Sequence, residues 1–479
     1  MSTSVFKDLD NTPLGMNHLK VWFTSGMGFF TDAYDLFIIG IVLLLLEGSL
    51  PTSFHIASGN AFIGAGLLGS SAIIAAIFGQ VIWGILADKL GRKSIYGIEA
   101  AILATGALLS AFAWSYWSLF LFRFILGFGI GGDYPISATI MSEYSNSKDR
   151  GKLVALTFAN QGIGSVAAVI VGLAAVTILP PEFAWRFMLG FGAIPALLVI
   201  YLRRKLPETP RFSALVKNNG AGANKAAKFI NKDAKIDSSA RSSISSIKTF
   251  FSNYWSMLIV TAGSWFLLDM AFYGTGIFSG PITSQILPTS SLAGKIIIAG
   301  IPFMVGFFGY FAAVGLMDRA GRKTLQIAGF VGMAVLYFAV ASLMLTKGTK
   351  ITGFLLPSTL MLALYALTYF FIDMGPNTTT FVVPAEIYPV NYRTTGHGIS
   401  AASGKIGAAI TTFFFVDLLA SIGLREVLFL LAGVSVVGAL LSIFLKETKH
   451  MSLEDASSDK IVENKKLESE PSGQNLTSD

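Results

Sequence analysis

Apolar residues run along this chain in long unbroken stretches rather than in one-sided stripes. Leu36 to Leu46 is one run, and Val427 to Leu445 reads VLFLLAGVSVVGALLSIFL without a charge. A helix needs about 20 apolar residues to cross a bilayer. Twelve stretches meet that requirement: 20–46, 60–87, 94–113, 116–141, 151–179, 185–203, 254–281, 293–317, 323–345, 352–384, 394–420 and 425–446. Several are longer than needed, which predicts tilt or extension into water. Residues 204–253 are polar and rich in Gly, Asn, Ser and Lys, and read as a linker with a surface helix. The Ser-, Glu- and Lys-rich stretch 447–479 reads as a disordered tail, and its Asn475-Leu-Thr477 sequon as chance.

Composition supports a lipid environment. The chain is 53% hydrophobic and 13% charged, about half the charged share of a soluble protein. It has no cysteine, which excludes disulfides, thiol catalysis and cysteine metal sites. Met1 to Lys20 is polar and lacks a signal-peptide pattern, so the first span reads as a retained helix. The formal charge of +7 is placed unevenly. Lys89, Arg92 and Lys93 follow span 2, Lys148, Arg150 and Lys152 follow span 4, and Arg319, Arg322 and Lys323 follow span 8. The stretch from Arg203 to Lys248 is the most basic, while loops 47–59 and 278–293 hold no Lys or Arg. Positive loops stay inside, so the termini and the central linker are expected in the cytoplasm. The basic balance then reports topology, not a nucleic-acid partner.

The chain also repeats itself. GMGFFTDAYD (Gly26–Asp35) aligns with GSWFLLDMAF (Gly263–Phe272), which sets Asp32 on Asp269. ADKLGRK (Ala87–Lys93) aligns with MDRAGRK (Met317–Lys323), and the Glu143/Arg150 spacing recurs at Glu386/Arg393. Parallel repeats of six spans describe the major facilitator architecture. The expected fold is an all-α membrane protein, with twelve transmembrane helices in two six-helix pseudo-symmetric bundles. The predicted divisions are 1–203, the linker 204–253, 254–446 and the tail 447–479.

The loop from Gly84 to Lys93 resembles the signature loop of the major facilitator superfamily. Asp88 and Arg92 flank a tight turn at Gly91 and are expected to latch onto the neighbouring bundle, as are Asp318 and Arg322 in the second copy. The second copy departs in that Gly315 is one position nearer its acid. Glu143, Arg150, Glu386 and Arg393 are expected gate charges of the same region. LPETPR (Leu206–Arg211) and KETK (Lys446–Lys449) look like the sugar-porter-like branch of that superfamily.

Charges inside the spans say more. Asp32, Asp35, Asp133, Asp269, Asp373 and Lys405 all fall within apolar stretches, where each costs about 2.5–3.5 kcal/mol on insertion scales. Six are too many for packing alone and imply a polar central cavity. Acids outnumber bases there, which suits carboxyls that hold a proton part of the time. Trp265, Asp269 and Tyr273 share one helical face, as do Asp32 and Asp35. Span 4 sets four glycines between Arg123 and the run Asp133-Tyr134-Pro135, permitting close helix approach. Arg123 is either a counter-ion for an anionic solute or the partner of an acid near the outer mouth.

Five segments, GFFTDAYDLF, GGDYPISATIMSE, WFLLDMAFYG, GPNTTTFVVPAEIYP and HGISAASGKIGA, resemble the proton-coupled inorganic phosphate symporters of fungi and plants. That resemblance implies phosphate held by Tyr134, Gln161, Trp265, Asp269, Tyr273 and Asn377. It implies a proton path through Asp32, Asp35 and Asp133, and an electrostatic role for Lys405. Asp373 departs from the family, which has Asn before Gly-Pro-Asn, and reads as a further proton acceptor or a change of substrate. The implied activity is import of phosphate with protons across the plasma membrane by alternating access, by a monomer among membrane lipids, without cofactor or metal. Two alternatives stand: a carrier of a sugar or organic acid, and a phosphate-sensing receptor that transports little. No nucleophile–base set is visible, so the chain does not read as an enzyme.

Overall fold

The computed structural model describes residues 5–49, 61–236, 240–244, 246–459 and 461–463. Among these, long apolar helices dominate. In the first half they are α1 (Met16–Ser49), α2 (Ala61–Leu90), α3 (Arg92–Ala111), α4 (Tyr116–Tyr144), α5 (Arg150–Ile178) and α6 (Pro181–Arg204). In the second they are α7 (Ile247–Ile277), α8 (Leu292–Ala320), α9 (Arg322–Ser342) and α10 (Ser358–Ile387), followed by Arg393–Ser442. That last helix is broken at Gly423 (φ 83°, ψ 163°) into α11 and α12. Twelve crossings therefore match the twelve predicted stretches. Large apolar side chains such as Phe112, Ile178 and Phe444 stay more than 70% exposed, as a lipid-facing surface requires.

The halves meet along two seams, α2 against α11 and α5 against α8. Within the first half the glycines of α4 set the spacing. A methyl group at Gly127 would strike the Ala72 backbone of α2, and one at Gly131 would meet the Ala76 carbonyl at 2.6 Å. On the other side, Gly129 approaches the Glu99 carbonyl and the Leu103 amide of α3, each 2.6 Å from where a Cβ would stand. The glycine run thus wedges α4 between two backbones, which brings Asp133 and Tyr134 into the interior.

Three features differ from the expected outline. α7 begins at Ile247 rather than 254, and the linker carries two helices, Pro210–Leu215 and Gly220–Ile230. Two short antiparallel ribbons lie outside the spans, Ala240–Ser242 with Ile461–Glu463, and Met344–Lys347 with Lys350–Phe354. The stretch 447–459, read as disordered, is instead folded against the bundles. Ser452 caps the helix Leu453–Ser457, Leu453 and Ala456 are buried, and Glu454 pairs with Arg211. Composition missed this because the segment's stability comes from partners distant in sequence. Residues 460 and 464–479, with the Asn475 sequon, lie outside the described residues.

Candidate functional site

The site lies between the halves, midway along the bundle. α7 turns Trp265, Asp269 and Tyr273 inward from three successive turns, and all three are buried. Lys405 of α11 reaches them: its Nζ donates to Asp269 Oδ2 at 2.8 Å and to the Tyr273 hydroxyl at 2.9 Å. The ammonium also lies 4.1 Å from the Tyr273 ring centre and 4.8 Å from that of Tyr134. Tyr134, from α4, brings its hydroxyl to 3.3 Å from that of Tyr273. A single row of polar groups, Tyr134–Tyr273–Lys405–Asp269, therefore joins the two halves. Asp269 Oδ1 and both amide atoms of the buried Gln161 have no hydrogen-bond partner among the described residues.

Asn377 sits in a second cluster. Its Nδ2 donates to the Tyr310 hydroxyl and to Asp373 Oδ1, both at 2.7 Å. Asp373 is thus held by neutral groups and has no ion-pair partner among the described residues. The ring of Phe158 lies between the clusters, 5.9 Å from Tyr310 and 6.3 Å from Tyr134.

Aromatic side chains close the site at both ends. Towards the termini, Phe158 stacks on Phe381 at 4.4 Å, and Phe29 packs edge-on to Phe381 at 4.9 Å and to Tyr134 at 5.1 Å. Towards the other face, Phe37 stacks on Tyr273 at 5.7 Å and leans on Phe303 at 4.9 Å. Beyond Phe37 there is room for little more than one water, about 20 Å³. Among the described residues, the site is thus covered by aromatic rings towards both faces. These phenylalanines were not singled out in the sequence, because 39 phenylalanines scattered through apolar spans carry no distinguishing signal.

Residues 21–459 match the family model described as sugar (and other) transporter. The chain belongs to this family. Within it, an Arabidopsis thaliana protein named probable inorganic phosphate transporter 1-6 is 39% identical, over 95% of this chain and 96% of its own. Inorganic phosphate transporter 1-2 of Oryza sativa subsp. japonica is 36% identical, over 96% and 97%. The low affinity inorganic phosphate transporter 1 of Petunia hybrida is 37% identical, over 95% of each chain. Among solved structures, the major facilitator superfamily proton:xylose symporter bound to 6-bromo-6-deoxy-D-glucose superposes with a TM-score of 0.78 at 18% identity, covering 92% of this chain and 98% of that one. The inward open conformation of the E. coli xylose transporter gives 0.67 at 19% identity, covering 92% and 99%.

In this transporter the charges expected at the gate fall on the terminus-bearing face, where Asp88, Asp318 and Glu143 bind across the two halves. Asp88 Oδ2 accepts from the Thr395 amide at 2.7 Å, so a carboxylate of the first half caps the N-terminus of α11. Asp318 Oδ2 accepts from the Lys152 amide at 2.7 Å, and caps α5 in return. Carboxylates are favourable at such ends, where free N–H groups and the helix dipole point outward. Glu208 accepts from the Lys93 amide, and Glu447 from the Arg322 and Lys323 amides at 3.1 Å, so the two ET motifs cap α3 and α9. The preceding glycines, Gly91 (φ 113°) and Gly321 (φ 92°), occupy backbone conformations that side chains disfavour.

The pseudo-symmetry breaks at the centre of this face. Glu143 receives Arg92 at 3.4 Å and, across the halves, Arg393 at 2.8 Å. Its counterpart Glu386 receives Arg322 at 2.7 Å, but its second neighbour is the Thr448 hydroxyl. Arg150, which mirrors Arg393, turns instead to Asp10 at 3.2 Å and to the Met451 carbonyl at 2.7 Å. The misplaced glycine has a counterpart too. Gly84 lets Thr394 approach, with a hydroxyl bond of 2.8 Å, whereas Gly315 faces open space.

The acids expected to carry protons divide. Asp133 is bound to Arg203 Nη2 at 2.6 Å, while Arg203 Nη1 holds Glu99, also at 2.6 Å. Ser137 donates to the same Asp133 oxygen. Arg203, read as the last residue of span 6 and the first of the basic stretch, is buried, and Glu99 was overlooked inside span 3. A charge at a span's edge is hard to place from sequence, since burial depends on the neighbouring helices. Asp32 and Asp35 are both buried, and their carboxylate oxygens lack hydrogen-bond partners among the described residues. Among the described residues Arg123 meets no acid side chain within ion-pair distance; its Nη2 donates to the Asp35 backbone carbonyl at 2.6 Å.

Proposed function

We propose that this transporter imports inorganic phosphate with protons across the plasma membrane, as a monomer with both termini in the cytoplasm. The observation that carries the reading is the Lys405–Asp269 pair, set among phenols where the halves meet. With Asp269 ionised, the ammonium is neutralised inside the protein and an anion gains little from it. When Asp269 takes a proton, Lys405 is released to an oxyanion, and the new carboxyl O–H becomes a donor. Tyr134, Tyr273, Trp265 and Gln161 supply neutral donors around it, while Asn377 stands in the second cluster beyond Phe158. Proton loading and anion binding are then one event, and loss of the proton expels the anion.

Asp32 and Asp35, buried with carboxylates that have no hydrogen-bond partner among the described residues, serve as the proton relay of the first half. Asp133 contributes through Arg203 rather than as an open acid. Asp373 adds a carboxyl beside Asn377. The bundles 1–203 and 254–446 rock about this site, with 204–253 as the linker. The phosphate transporter names of the relatives, over nearly the whole chain, favour phosphate over a sugar or organic acid. In proteoliposomes, labelled phosphate uptake rises with an inward proton gradient and collapses with an uncoupler. Uptake indifferent to pH would falsify the coupling, competition by sugars or carboxylates would move the substrate, and binding without counterflow would favour the receptor.

A further inference from the structure

At the terminus-bearing end of the bundle, α1, α6 and the linker helix Gly220–Ile230 enclose a groove of about 570 Å³ that plays no part in the central site. Its walls are apolar. Leu19 and Phe23, one turn apart on α1, are each 45% exposed, and Leu202 and Phe229 face them. Its rim is cationic: Lys20 and Lys205 stand on opposite walls, both exposed, and no acid lines the groove. Lys205 stays over the Tyr201 ring at 4.0 Å and donates to its hydroxyl at 2.6 Å. Asn17 ties the walls together, with its Nδ2 donating to the Phe229 carbonyl at 2.6 Å and its Oδ1 accepting from Lys20 Nζ at 3.1 Å. Neither lysine has a carboxylate partner among the described residues.

We infer that this groove holds one anionic glycerophospholipid of the leaflet on that side, its headgroup phosphate between Lys20 and Lys205 and its acyl chains along Leu19, Phe23 and Leu202. The two chemistries match the two parts of the groove: basic pockets between membrane helices select anionic headgroups, and the apolar wall suits acyl chains. A free phosphate ion would use the lysines but leave the apolar wall in water. A larger groove near Phe112 and Phe183, about 930 Å³, lacks this pairing. Its cation, Arg186, is turned inward, donating to the Ala111 and Ala113 carbonyls at 2.8 Å. The lipid at the first groove bridges α1, α6 and the linker, so it stiffens the first bundle at the level of the gate.

Native mass spectrometry and thermal unfolding of the detergent-purified full chain, titrated with phosphatidylglycerol or phosphatidylcholine, test this. Two lysines at a lipid headgroup predict an anionic preference on the order of tenfold or more. The double variant Lys20→Gln/Lys205→Gln loses that preference, and Lys225→Gln/Lys232→Gln, equally exposed on the same side, keeps it. Inorganic phosphate alone gives no shift that depends on Lys20 and Lys205. Equal binding of the two lipids by the unaltered protein, retention of the preference by the first double variant, or a dimer that excludes lipid from the groove each overturns the inference. None of these readouts involves transport, so their failure leaves the phosphate reading standing, and the reverse.

Discussion

Lys405 and Asp269 form an ion pair, 2.8 Å long, between two helices of the second half, and both side chains are buried. Removing one member of such a pair strands the other charge, at a cost of about 3–5 kcal/mol. Asp269→Asn is therefore expected to lower the thermal stability markedly as well as abolish proton-driven uptake. The double variant Asp269→Asn/Lys405→Gln restores most of the stability but not the uptake, which stays down at least ~100-fold, equivalent to about 2.7 kcal/mol. Melting curves beside uptake rates separate the two effects. Recovery of coupled uptake in the double variant would show that the pair only holds the fold.

Arg203 bridges Glu99 and Asp133, so its loss leaves two acids facing each other in the bundle. Arg203→Met is expected to destabilise by about 3–5 kcal/mol, more than Glu99→Gln does. Asp32, whose carboxylate has no hydrogen-bond partner among the described residues, behaves oppositely. Asp32→Asn melts close to the unaltered protein but no longer concentrates phosphate against a gradient, although counterflow persists. Full accumulation by Asp32→Asn would remove it from the proton path.

The aromatic closures make a prediction with opposite signs at the two faces. The natural chain has no cysteine, so a single cysteine at Gln161 reports access without background. Phe37→Ala is expected to speed its labelling by an impermeant maleimide from the face away from the termini. Phe158→Ala speeds it from the terminus-bearing face instead. Equal rates from both faces in either variant would refute the assignment of the two plugs.

The clasp between the linker and the C-terminal segment has its own pH range. Burial alone would raise Glu454, but the Arg211 guanidinium at 2.9 Å, aided by Arg393, outweighs it and holds the carboxyl below the ordinary value of 4.5. A carboxyl held low stabilises the fold above that ordinary value and ceases to do so as the pH falls through its lower folded value. The protection of the Leu453–Ser457 amides, taken as exchange relative to the intrinsic rate at each pH, should therefore stay constant from about pH 5 to 8 and fall only in stronger acid. Arg211→Gln is expected to lower that protection throughout this range. A change near neutrality in the unaltered protein would mean that another group sets this contact.

Spans, repeat and gate motifs were legible because each is written in local sequence. Twenty apolar residues or a glycine followed by Arg-Lys need no knowledge of the partner helix. Trp265, Asp269 and Tyr273 could be grouped because one helix carries them all. What escaped was relational. Glu99 and Arg203 lie 104 positions apart, and neither segment marks the other as its partner. Arg123 carried a charge that invited an acid, yet it met a backbone carbonyl, which sequence does not distinguish. Glu143 and Glu386 occupy equivalent positions in the repeat, but the Thr448 hydroxyl binds Glu386 where Arg393 binds Glu143.

Each half lends a carboxylate to a helix end of the other, Asp88 to α11 and Asp318 to α5. When the terminus-bearing face parts, both helix ends lose these caps at once, while Asp88 keeps Arg92 and Asp318 keeps Arg322 within their own halves. At roughly 1 kcal/mol for each such contact, the closed face is favoured by about 2 kcal/mol before any ion pair is counted, close to a thirtyfold bias. An unloaded carrier then waits with the face away from its termini as the easier one to open, a resting bias written into two helix ends.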